Sequence, residues 1–474
     1  MSDDSATLAE TLDETGGASD PGRAALALVI AWSAREPERV GEVLLVPPGA
    51  RLILGRGERG VGPGEERASW VRQRPGRSRR CPPLNNPRIS RQQLRVVADG
   101  GTLEITGLGR QPLRFGGQEV PRCRVTPGGT FTISRQMVLL CEERPGALPA
   151  PRSVSSRFHP FGEPDASGVV GESPVIWALR EQAAFVGARR EHVLVRGESG
   201  TGKELVARAV HALSPRAAGA VVARNAATIP ESLVDAELFG NVKDYPNPGM
   251  PERPGLVGEA DGGSLFLDEI AELPEAQQAR LLRVLDAGGE YHRLGESRAR
   301  RADLRLIGAT NRPLDRLKHD VLARLTLRLQ VPSLNERPSD IPLIARYLLA
   351  AGAREDPGLR ERFFVHGSPE EPRLDLDLVE ALLAHRWTHH VRELKALLWR
   401  AMATSPDDTL RLTDALREEL TPAVEAEAAD PTALTREAVA AALERCEGVQ
   451  ARAWRELGLK NRFQLGRLMK KYGL

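Results

Sequence analysis

A glycine-rich stretch near the middle of the chain has the residue types and spacing of a phosphate-binding loop. The apolar run HVLVR, residues 192–196, is followed by GESGTGK, residues 197–203, and then by a helical pattern. In such loops backbone N–H groups converge on phosphate oxygens, the helix N-terminus adds its dipole, and the lysine reaches the β- and γ-phosphates. The sequence therefore predicts an ATP site. Its candidate residues are Gly197, Glu198, Ser199, Gly200, Thr201, Gly202, Lys203 and Glu204.

An acidic pair at the end of a later apolar run complements this loop. The segment GGSLFLDEI places Asp268 and Glu269 about 60 residues after Lys203. The first carboxylate suits Mg²⁺, and the second suits polarisation of an attacking water. Glu204 stands where the general loop pattern has a Ser or Thr that holds the metal, so Mg²⁺ must depend on other groups. Thr201 and Asp268 are the candidates.

A third strand end carries further candidate catalytic groups. The segment LRLIGATN ends in Thr310 and Asn311, which a neighbouring strand would bring within reach of the γ-phosphate. Phosphate loop, acidic pair and this polar strand end together predict an ATPase.

The elements that must position these residues form an α/β domain. Strand-like runs alternate with helical periods over residues 169–332, which predicts a parallel sheet covered by helices. After Pro332 the pattern becomes helical to about residue 420, which indicates a helical lid. A second linker at 421–432 leads to a compact, all-α unit at 433–474 with a basic end.

The N-terminal third has a different pattern. Residues 1–20 are polar and predicted to be disordered. Residues 21–145 contain short β-type runs between Gly, Pro, Asn and Asp turns, which predicts a β-sandwich. A stretch rich in Pro, Ser and Arg at 146–168 predicts a linker.

Composition limits the class of protein. The 474 residues carry a net charge of only +2, so any nucleic-acid binding must come from a local patch. The four cysteines show no metal-ligand spacing, and disulfides are not indicated. The acidic N-terminus is unlike a signal peptide, and the longest apolar run, residues 24–32, is too short for a membrane helix. These features predict a cytoplasmic protein that does not contact membranes.

The central motifs resemble those of a known family. GESGTGKE, ELFG, GGSLFLDEI, GATNRPL and VRELK together resemble the AAA+ ATPase domain of bacterial enhancer-binding proteins, which remodel sigma-54 RNA polymerase. The resemblance spans about residues 169–420, and Glu204 agrees with it. It implies a homo-oligomeric ring, usually a hexamer, that uses ATP and Mg²⁺.

The resemblance also implies roles for particular residues. Asn225 would be the switch that senses the catalytic Glu269. Arg392 would be the sensor arginine of the lid. Arg324 matches an arginine finger that enters the neighbouring subunit's site, whereas a second family arginine is replaced by Lys318, which keeps the charge but loses the planar fork.

One family motif is not matched. In the family ELFG is followed, after three residues, by the loop GAFTGA, which projects from the ring and contacts the sigma factor. Here residues 244–249 read DYPNPG, with Pro246 at the aromatic position and Asn247 at the threonine position. Two prolines with fixed φ stiffen this loop. Either Tyr245 replaces the phenylalanine in a working variant, or sigma-54 remodelling is lost or altered.

The N-terminal segment resembles a forkhead-associated (FHA) domain, a β-sandwich that binds phosphothreonine peptides. Arg56, Ser90 and Arg91 match its binding positions, whereas Gln93 replaces a histidine and Pro112 an asparagine. The arginine-rich insertion 72–80 is expected to be a solvated loop. Binding of phosphate or acidic groups there is an alternative.

The C-terminal segment resembles the Fis-type helix-turn-helix. Its predicted helices cover residues 436–445, 449–457 and about 461–471, and the third would enter the major groove of double-stranded DNA. Such units usually bind as dimers at paired, enhancer-like half-sites. The candidate DNA contacts are Lys460, Asn461, Arg462, Gln464, Arg467, Lys470 and Lys471.

The sequence is compatible with three functions. The first is an ATP-driven, DNA-binding regulator of the enhancer-binding type, with sigma-54 contact in doubt. The alternative is a sigma-54-independent DNA-binding regulator in which nucleotide binding controls only oligomerisation. A remodeller of some other target is a third possibility.

Overall fold

The computed structural model describes residues 24–58, 60–153, 159–286, 288–366, 368–420, 435–445, 457 and 462–472. The chain divides into two compact units: one comprises Met1–Leu383 with Trp387–Arg417, and the other Ala384–Arg386 with Glu418–Leu474. Within the part of the chain that is described, no helix is long and apolar enough to cross a membrane.

The N-terminal region is a β-sandwich. Its thirteen strands form an eight-stranded sheet in the order β10-β9-β12-β13-β1-β2-β5-β6 and a five-stranded sheet in the order β11-β8-β7-β3-β4. The strands are β1 Ala24–Ser33, β2 Val43–Val46, β3 Arg51–Leu54, β4 Glu66–Arg67, β5 Val71–Arg74, β6 Arg77–Arg80, β7 Leu94–Asp99, β8 Thr102–Gly107, β9 Leu113–Phe115, β10 Gln118–Glu119, β11 Arg122–Val125, β12 Thr130–Ile133 and β13 Met137–Pro145.

Alternating side chains of the two sheets form one apolar core. Leu28 and Leu139 from the larger sheet meet Leu54 and Ile105 from the smaller one, and all four are fully buried. This alternation is the expected consequence of the period-two pattern in the sequence. The described cysteines Cys81, Cys123 and Cys141 are free thiols.

The arginine-rich insertion differs from the prediction. Instead of a solvated loop, β5 and β6 form an antiparallel hairpin that extends the larger sheet beyond β2. The hairpin is anchored because Gly76 N donates to Leu148 O at 2.9 Å and the buried Gln73 amide donates to Pro145 O at 2.8 Å. Periodicity did not show the hairpin because arginines occupy both faces of β6.

The central region is a three-layered α/β domain. A parallel sheet has the order β15-β16-β19-β14-β20, and a small antiparallel pair, β17 with β18, stands apart from it. The strands are β14 Val193–Arg196, β15 Val221–Asn225, β16 Ser264–Asp268, β17 Glu290–Tyr291, β18 Arg300–Arg301, β19 Arg305–Thr310 and β20 Leu327–Gln330; the helices are α1 Pro174–Gly187, α2 Lys203–Ala212, α3 Val234–Phe239, α4 Gly255–Glu259, α5 Glu275–Leu285 and α6 His319–Arg324. The inner strands are continuous apolar runs because helices cover both faces of the sheet.

The lid follows the sheet and contains more than helices. Its helices are α7 Ile341–Glu355, α8 Pro357–Phe363, α9 Leu376–Ala384, α10 His390–Thr404 and α11 Asp414–Glu419, and a short strand pair joins β21 Phe364–Val365 to β22 Ser368–Pro372. The all-helical prediction for 333–420 was therefore incomplete. Short 3-10 turns occur at Pro37–Arg39, Ala226–Thr228, Glu231–Leu233, Ile270–Glu272, Leu314–Arg316, Leu334–Glu336 and Pro338–Asp340.

The sandwich packs directly on the central domain and its lid. Trp32 donates from Nε1 to the Leu374 carbonyl of the lid at 3.1 Å. Arg74 forms an ion pair with Glu172, just before α1, and the backbone N–H of Glu172 donates to Asp340 Oδ1 at 2.7 Å. One buried chain of polar contacts thus joins sandwich, core and lid.

The C-terminal unit contains two described helices, α12 Arg436–Arg445 and α13 Arg462–Tyr472. Val439 and Ala442 of α12 pack against Leu465 and Leu468 of α13. The predicted middle helix at 449–457 lies outside the described residues except for Leu457.

Glu380 on α9 provides a stability test of this fold. Burial, and more weakly Asp377, raise the pKa of this carboxyl to about 7, against a smaller lowering by Arg114. Because the folded-state pKa exceeds the unfolded one, the folded protein holds this proton more tightly than the unfolded chain does. The resulting contribution to the free energy of unfolding is fully present below about pH 4.3 and is lost as the pH rises through 7. We expect Glu380→Gln to raise the unfolding midpoint at pH 8 by about 2–4 °C and to change little at pH 5.

The measurement is thermal unfolding of the full chain at the two pH values. Glu361→Gln, at an exposed site on α8, is the matched control. An equal midpoint shift at both pH values would contradict a titrating Glu380.

Candidate nucleotide site

The phosphate loop leads from β14 into α2 as the sequence predicts. Gly200 and Gly202 have φ of +83° and +98°, in the region that disfavours side chains, and Gly202 is the N-cap of α2. These two conformations turn the chain sharply enough to direct loop N–H groups and the first turn of α2 towards one point.

Lys203 occupies the centre of the site. Its Nζ donates to the carbonyls of Gly197 at 3.1 Å and Glu198 at 3.3 Å, and it lies 3.7 Å from Glu269 Oε1. The side chain is only 7% exposed. A buried ammonium in this position is ready to exchange loop carbonyls for phosphate oxygens.

The acidic pair lies at the carboxyl end of β16, beside the loop. Asp268 Oδ1 accepts from the backbone N–H of Glu269 at 3.1 Å. Glu269 has φ of +50°, and its Oε2 accepts from the backbone N–H of Asn311 at 3.2 Å. The left-handed backbone turns Glu269 away from the strand direction and towards Lys203, which gives the two neighbouring carboxylates different surroundings.

Asn225 lies in the site but has a different partner from the expected one. Its Nδ2 donates to Asp268 Oδ2 at 3.1 Å rather than to Glu269. The reason is register, because Asn225 and Asp268 are directly paired between β15 and β16. Thr310 ends β19, and its hydroxyl accepts from the Arg312 N–H at 3.0 Å.

The groups predicted to hold Mg²⁺ fit it in part. Asp268 provides a carboxylate beside the phosphate loop, and Mg²⁺ is commonly held by one or two carboxylates together with substrate phosphates. The hydroxyl of Thr201 donates to Glu198 O at 2.9 Å inside the loop. Glu204 is exposed and pairs with Arg208 along α2. No group of three His, Cys, Asp or Glu in the described parts of the chain could hold a metal by itself.

The lid contacts the phosphate loop directly. Arg392 Nη1 donates to the Ser199 hydroxyl at 3.3 Å, and Val391 N donates to Gly200 O at 3.0 Å. A Cβ at Gly200 would lie 2.1 Å from the His389 carbonyl, so only glycine permits this approach.

His390 contacts the phosphate loop although no motif in the sequence assigned it to the site. It is fully buried, has φ of +50°, and its Nε2 lies 3.0 Å from Glu198 Oε2. Residues 387–390 read WTHH and directly precede the motif VRELK, and none of the matched motifs includes them. The imidazole joins the lid to the phosphate loop.

The two candidate interface cations contact acidic groups at the two ends of α5. Arg324 Nε donates to Asp286 Oδ1 at 2.7 Å, and its side chain is 45% exposed. Lys318 Nζ lies 3.6 Å from Glu275 Oε2. Both side chains therefore lie on the surface of the core.

The loop at residues 244–249, which does not match the family motif, is closed at its base by backbone pairing. Asn241 and Arg253 exchange two hydrogen bonds of 3.1 Å, and Val242 N donates to Leu294 O at 3.1 Å. The Asn241 amide donates to Pro251 O at 2.9 Å. The loop is thereby tied to the segment between β17 and β18.

Its tip is a compact turn. Asp244 Oδ1 accepts from Gly249 N at 2.7 Å, and Asp244 N donates to Met250 O at 2.9 Å. The Tyr245 ring is 42% exposed and lies against Gly295, where a Cβ would approach it to 2.7 Å. The Tyr245 ring is thus partly exposed at the tip and partly packed against the backbone at Gly295.

The other predicted binding residues are placed as follows. Arg56, Ser90 and Arg91 lie in one group of loops at the end of the sandwich, where Arg56 N donates to Ser90 O and the Arg67 guanidinium donates to the carbonyls of Arg56 and Arg91. The buried Gln93 takes the place of the expected histidine, and its Oε1 accepts from Ser90 N at 3.1 Å.

Of the candidate DNA contacts, Arg467 is exposed on α13. Arg462, Gln464, Lys470 and Lys471 belong to the same helix. Lys460 and Asn461 lie outside the described residues.

Known proteins resemble this chain in its central region. Residues 169–335 match the family model described as "Sigma-54 interaction domain". The Nif-specific regulatory protein of Azotobacter vinelandii is 38% identical over 309 residues, which cover 62% of this chain and 57% of that protein. The transcriptional regulatory protein ZraR of Escherichia coli K12 is 35% identical over 312 residues, which cover 64% and 68%.

A crystal structure of NtrX from Brucella abortus in complex with ATP is 30% identical, with a TM-score of 0.46; the match covers 65% of this chain and 69% of that one. The chain spans little more than half the length of the Nif-specific regulator.

The strand order, the glycine loop and the strand-end acidic pair together define an AAA+ P-loop nucleoside triphosphatase domain. The chain belongs to the family of transcriptional regulators that carry the sigma-54 interaction domain. The family and the central fold predicted from the motifs are thus confirmed. The FHA and Fis-type assignments of the two ends stay predictions.

Glu269→Gln should separate nucleotide binding from turnover. The amide keeps the shape of the side chain but cannot polarise water as a carboxylate does, so we expect ATP affinity within about threefold of wild type and a turnover at least about 100-fold lower. Glu272→Gln, at a carboxylate that pairs with Arg312, is the control. ATP affinity comes from calorimetry and turnover from phosphate release; a wild-type chain without measurable turnover would refute the ATPase assignment.

Proposed function

We propose that this protein is an ATP-hydrolysing, DNA-binding regulator of transcription that works as a homo-oligomeric ring. The carrying observation is the convergence of Lys203, Glu269 and the Asn311 backbone at the ends of three adjacent strands. In this arrangement Lys203 neutralises the β- and γ-phosphates, and Glu269 orients the attacking water. The contacts of Glu269 with both neighbours fix the direction of its carboxylate before substrate arrives.

The nucleotide would be ATP with Mg²⁺. Asp268 would hold the ion against the phosphates, and Thr201 is the second proposed ligand; the ion would neutralise phosphate charge during transfer. Asn225 positions Asp268, while Thr310 and Asn311 define the γ-phosphate side of the site. Arg392 connects this site to the lid.

Hydrolysis at a subunit interface is supported by the exposed Arg324. Release of its ion pair with Asp286 would let the guanidinium reach a neighbour's γ-phosphate. Lys318 would supply a second positive charge without the bidentate geometry of arginine. The proposed assembly ranges from a dimer, set by the DNA reader, to a hexameric ring.

The motor has two candidate modes of action, which differ in their target. The match of residues 169–335 to the sigma-54 interaction domain supports sigma-54 RNA polymerase as the partner. The compact turn closed by Asp244 and the packed Tyr245 ring favours a second candidate, a sigma-54-independent regulator whose nucleotide site controls oligomerisation. The two candidates differ in whether the tip of the loop at residues 244–249 binds the sigma factor.

A trapping experiment separates these candidates. The full chain, with ADP and a metal-fluoride mimic of the transferring phosphate, would be mixed with purified sigma-54 and analysed by native electrophoresis. A matched variant would carry GAFTGA at 244–249. We expect the exchanged loop to trap sigma-54 at least about tenfold more than DYPNPG does, because small, flexible residues release the tip from Gly295.

Equal trapping by both chains would show that DYPNPG is a working sigma-54 loop. Failure of both chains to form a complex, with ATP turnover intact, would show that the motor acts on another target.

The proposed DNA reader is the C-terminal unit, and its loss should remove sequence-specific binding. We expect deletion of residues 433–474 to weaken binding to a selected duplex by about a thousandfold and to lower the salt dependence of binding. Arg467→Ala within the full chain tests the same surface without truncation. Binding would be measured by fluorescence anisotropy at several salt concentrations; retained affinity and salt slope would place the reader elsewhere in the chain.

Phosphothreonine recognition by Arg56, Ser90 and Arg91 remains part of the proposal. Its support is that these residues share one group of loops, held together by Arg67. A phosphorylated partner at that end of the sandwich would be a source of regulation.

A further inference from the structure

A buried histidine holds the start of the lid helix α10 against the phosphate loop. His390 is the first residue of α10 and is fully buried, whereas the side chain of Glu198, which it contacts, is 67% exposed. The distance from His390 Nε2 to Glu198 Oε2 is 3.0 Å. Because an ionised carboxylate can only accept hydrogen bonds, Nε2 carries the hydrogen and donates it to Glu198.

The other ring nitrogen of His390 shows that apolar packing does not account for this residue. Nδ1 is buried and has no hydrogen-bond partner among the residues that the structure describes. A buried polar atom without a partner destabilises the folded state, so an apolar side chain would fill the same space at lower cost. What the imidazole adds is its hydrogen bond to Glu198.

The backbone of His390 is also unusual. Its φ is +50°, in the left-handed region that residues with a side chain seldom adopt. Such conformations cost free energy, persist where the surrounding structure holds them, and cluster at functional sites. Here the flanking residues contact Gly200, because the His389 carbonyl lies against it and Val391 N donates to Gly200 O at 3.0 Å. The left-handed turn therefore lies where the lid meets the phosphate loop.

Glu198 is joined to the phosphate-binding cation through its backbone. Its carbonyl oxygen accepts from Lys203 Nζ at 3.3 Å and from the Thr201 hydroxyl at 2.9 Å. Lys203 is the group that would exchange this carbonyl for phosphate oxygens. Glu198 is thus fixed by its side chain to the lid and by its carbonyl to the loop, and the direction of that carbonyl contributes to the position of Lys203 before a nucleotide binds.

We propose that His390 is a positioning residue for nucleotide binding, which acts through Glu198 to keep the phosphate loop ordered against the lid. This inference rests on the proposed function, because it concerns the same nucleotide site. Without the hydrogen bond the Glu198 segment has more conformations to lose when phosphate binds, which weakens binding. ATP and ADP are affected alike, because both carry the phosphates that the loop backbone contacts.

A purely conformational role of His390 is the competing explanation. In that case the residue would matter only through its left-handed backbone, which Asn adopts more readily than Gln does. The hydrogen bond makes the opposite prediction. The amide nitrogen of a Gln side chain can take the place of the imidazole Nε2, whereas the shorter Asn side chain ends at the level of Nδ1 and does not reach Glu198.

The test measures binding of ADP and of a non-hydrolysable ATP analogue to the full chain by titration calorimetry, and ATP hydrolysis by phosphate release. We expect His390→Asn to raise both Kd values and the KM for ATP at least about fivefold with kcat within about twofold, because ordering of the loop is lost equally in the ground state and the transition state. His390→Gln should stay within about twofold of wild type in each constant. Normal binding by His390→Asn with weakened binding by His390→Gln would show a backbone role and overturn the proposal.

Glu198→Ala tests the same contact from an exposed side chain, where removal does not disturb a core. It should raise the Kd values by the same factor as His390→Asn, and the double variant should show that factor once, since both changes remove one hydrogen bond. Effects that multiply in the double variant would show that the two residues act independently, which contradicts the proposal. Glu355→Ala, at an exposed end of α7 in the lid, is the charge control and should leave binding unchanged.

The outcomes separate this inference from the proposed function. Thermal unfolding of each variant checks that the lid is intact, and Glu198→Ala decides the matter if His390→Asn does not fold. A wild-type chain that binds neither nucleotide would refute the nucleotide site, and the role of His390 with it. A wild-type chain that binds both, with the same affinity as His390→Asn and Glu198→Ala, would refute only the role of His390.

Discussion

The nucleotide site depends on the position of one strand. β19 lies between β14 and β16 in a parallel sheet, so the phosphate loop, the acidic pair and the Thr310–Asn311 turn leave the sheet at the same edge. That adjacency brings Glu269 between Lys203 and the Asn311 backbone. Loop glycines and helix dipoles act on phosphate only because the sheet has first brought three separate sequence motifs together.

The lid is tied to the same loop by geometry that tolerates few substitutions. The His389 carbonyl approaches Gly200 so closely that a side chain there would collide with it, and His390 takes a left-handed backbone to meet Glu198. A conformational change in the loop must therefore displace the start of α10. Arg392 lies on that helix and donates to the Ser199 hydroxyl of the loop, so the lid arginine is in direct contact with the phosphate loop.

The sequence predicted those elements that depend on interactions between residues close together in the chain. Apolar alternation marked the strands of the sandwich, and glycine spacing with Lys203 marked the phosphate loop. The register between strands could not be predicted from the sequence, because it depends on which strands pair. For this reason Asn225 contacts Asp268, whereas the family resemblance implied a role towards Glu269. The hairpin β5–β6 was missed because its many arginines give no hydrophobic period, although backbone pairing and the Gln73 contacts order it.

Several polar contacts at the junction of sandwich, core and lid share the same two carboxylates, Glu172 and Asp340. Glu172 joins the sandwich through Arg74 and the first core helix through Trp177, while Asp340 accepts from the backbone N–H groups of both Glu172 and Ser173. Ser173 is also the N-cap of α1. Because these groups are buried, removing one partner leaves a desolvated charge that must find another, which makes the contacts interdependent. The Arg74–Glu172 ion pair is therefore joined by consecutive contacts to Trp177 of the first core helix and to Asp340 at the start of the lid.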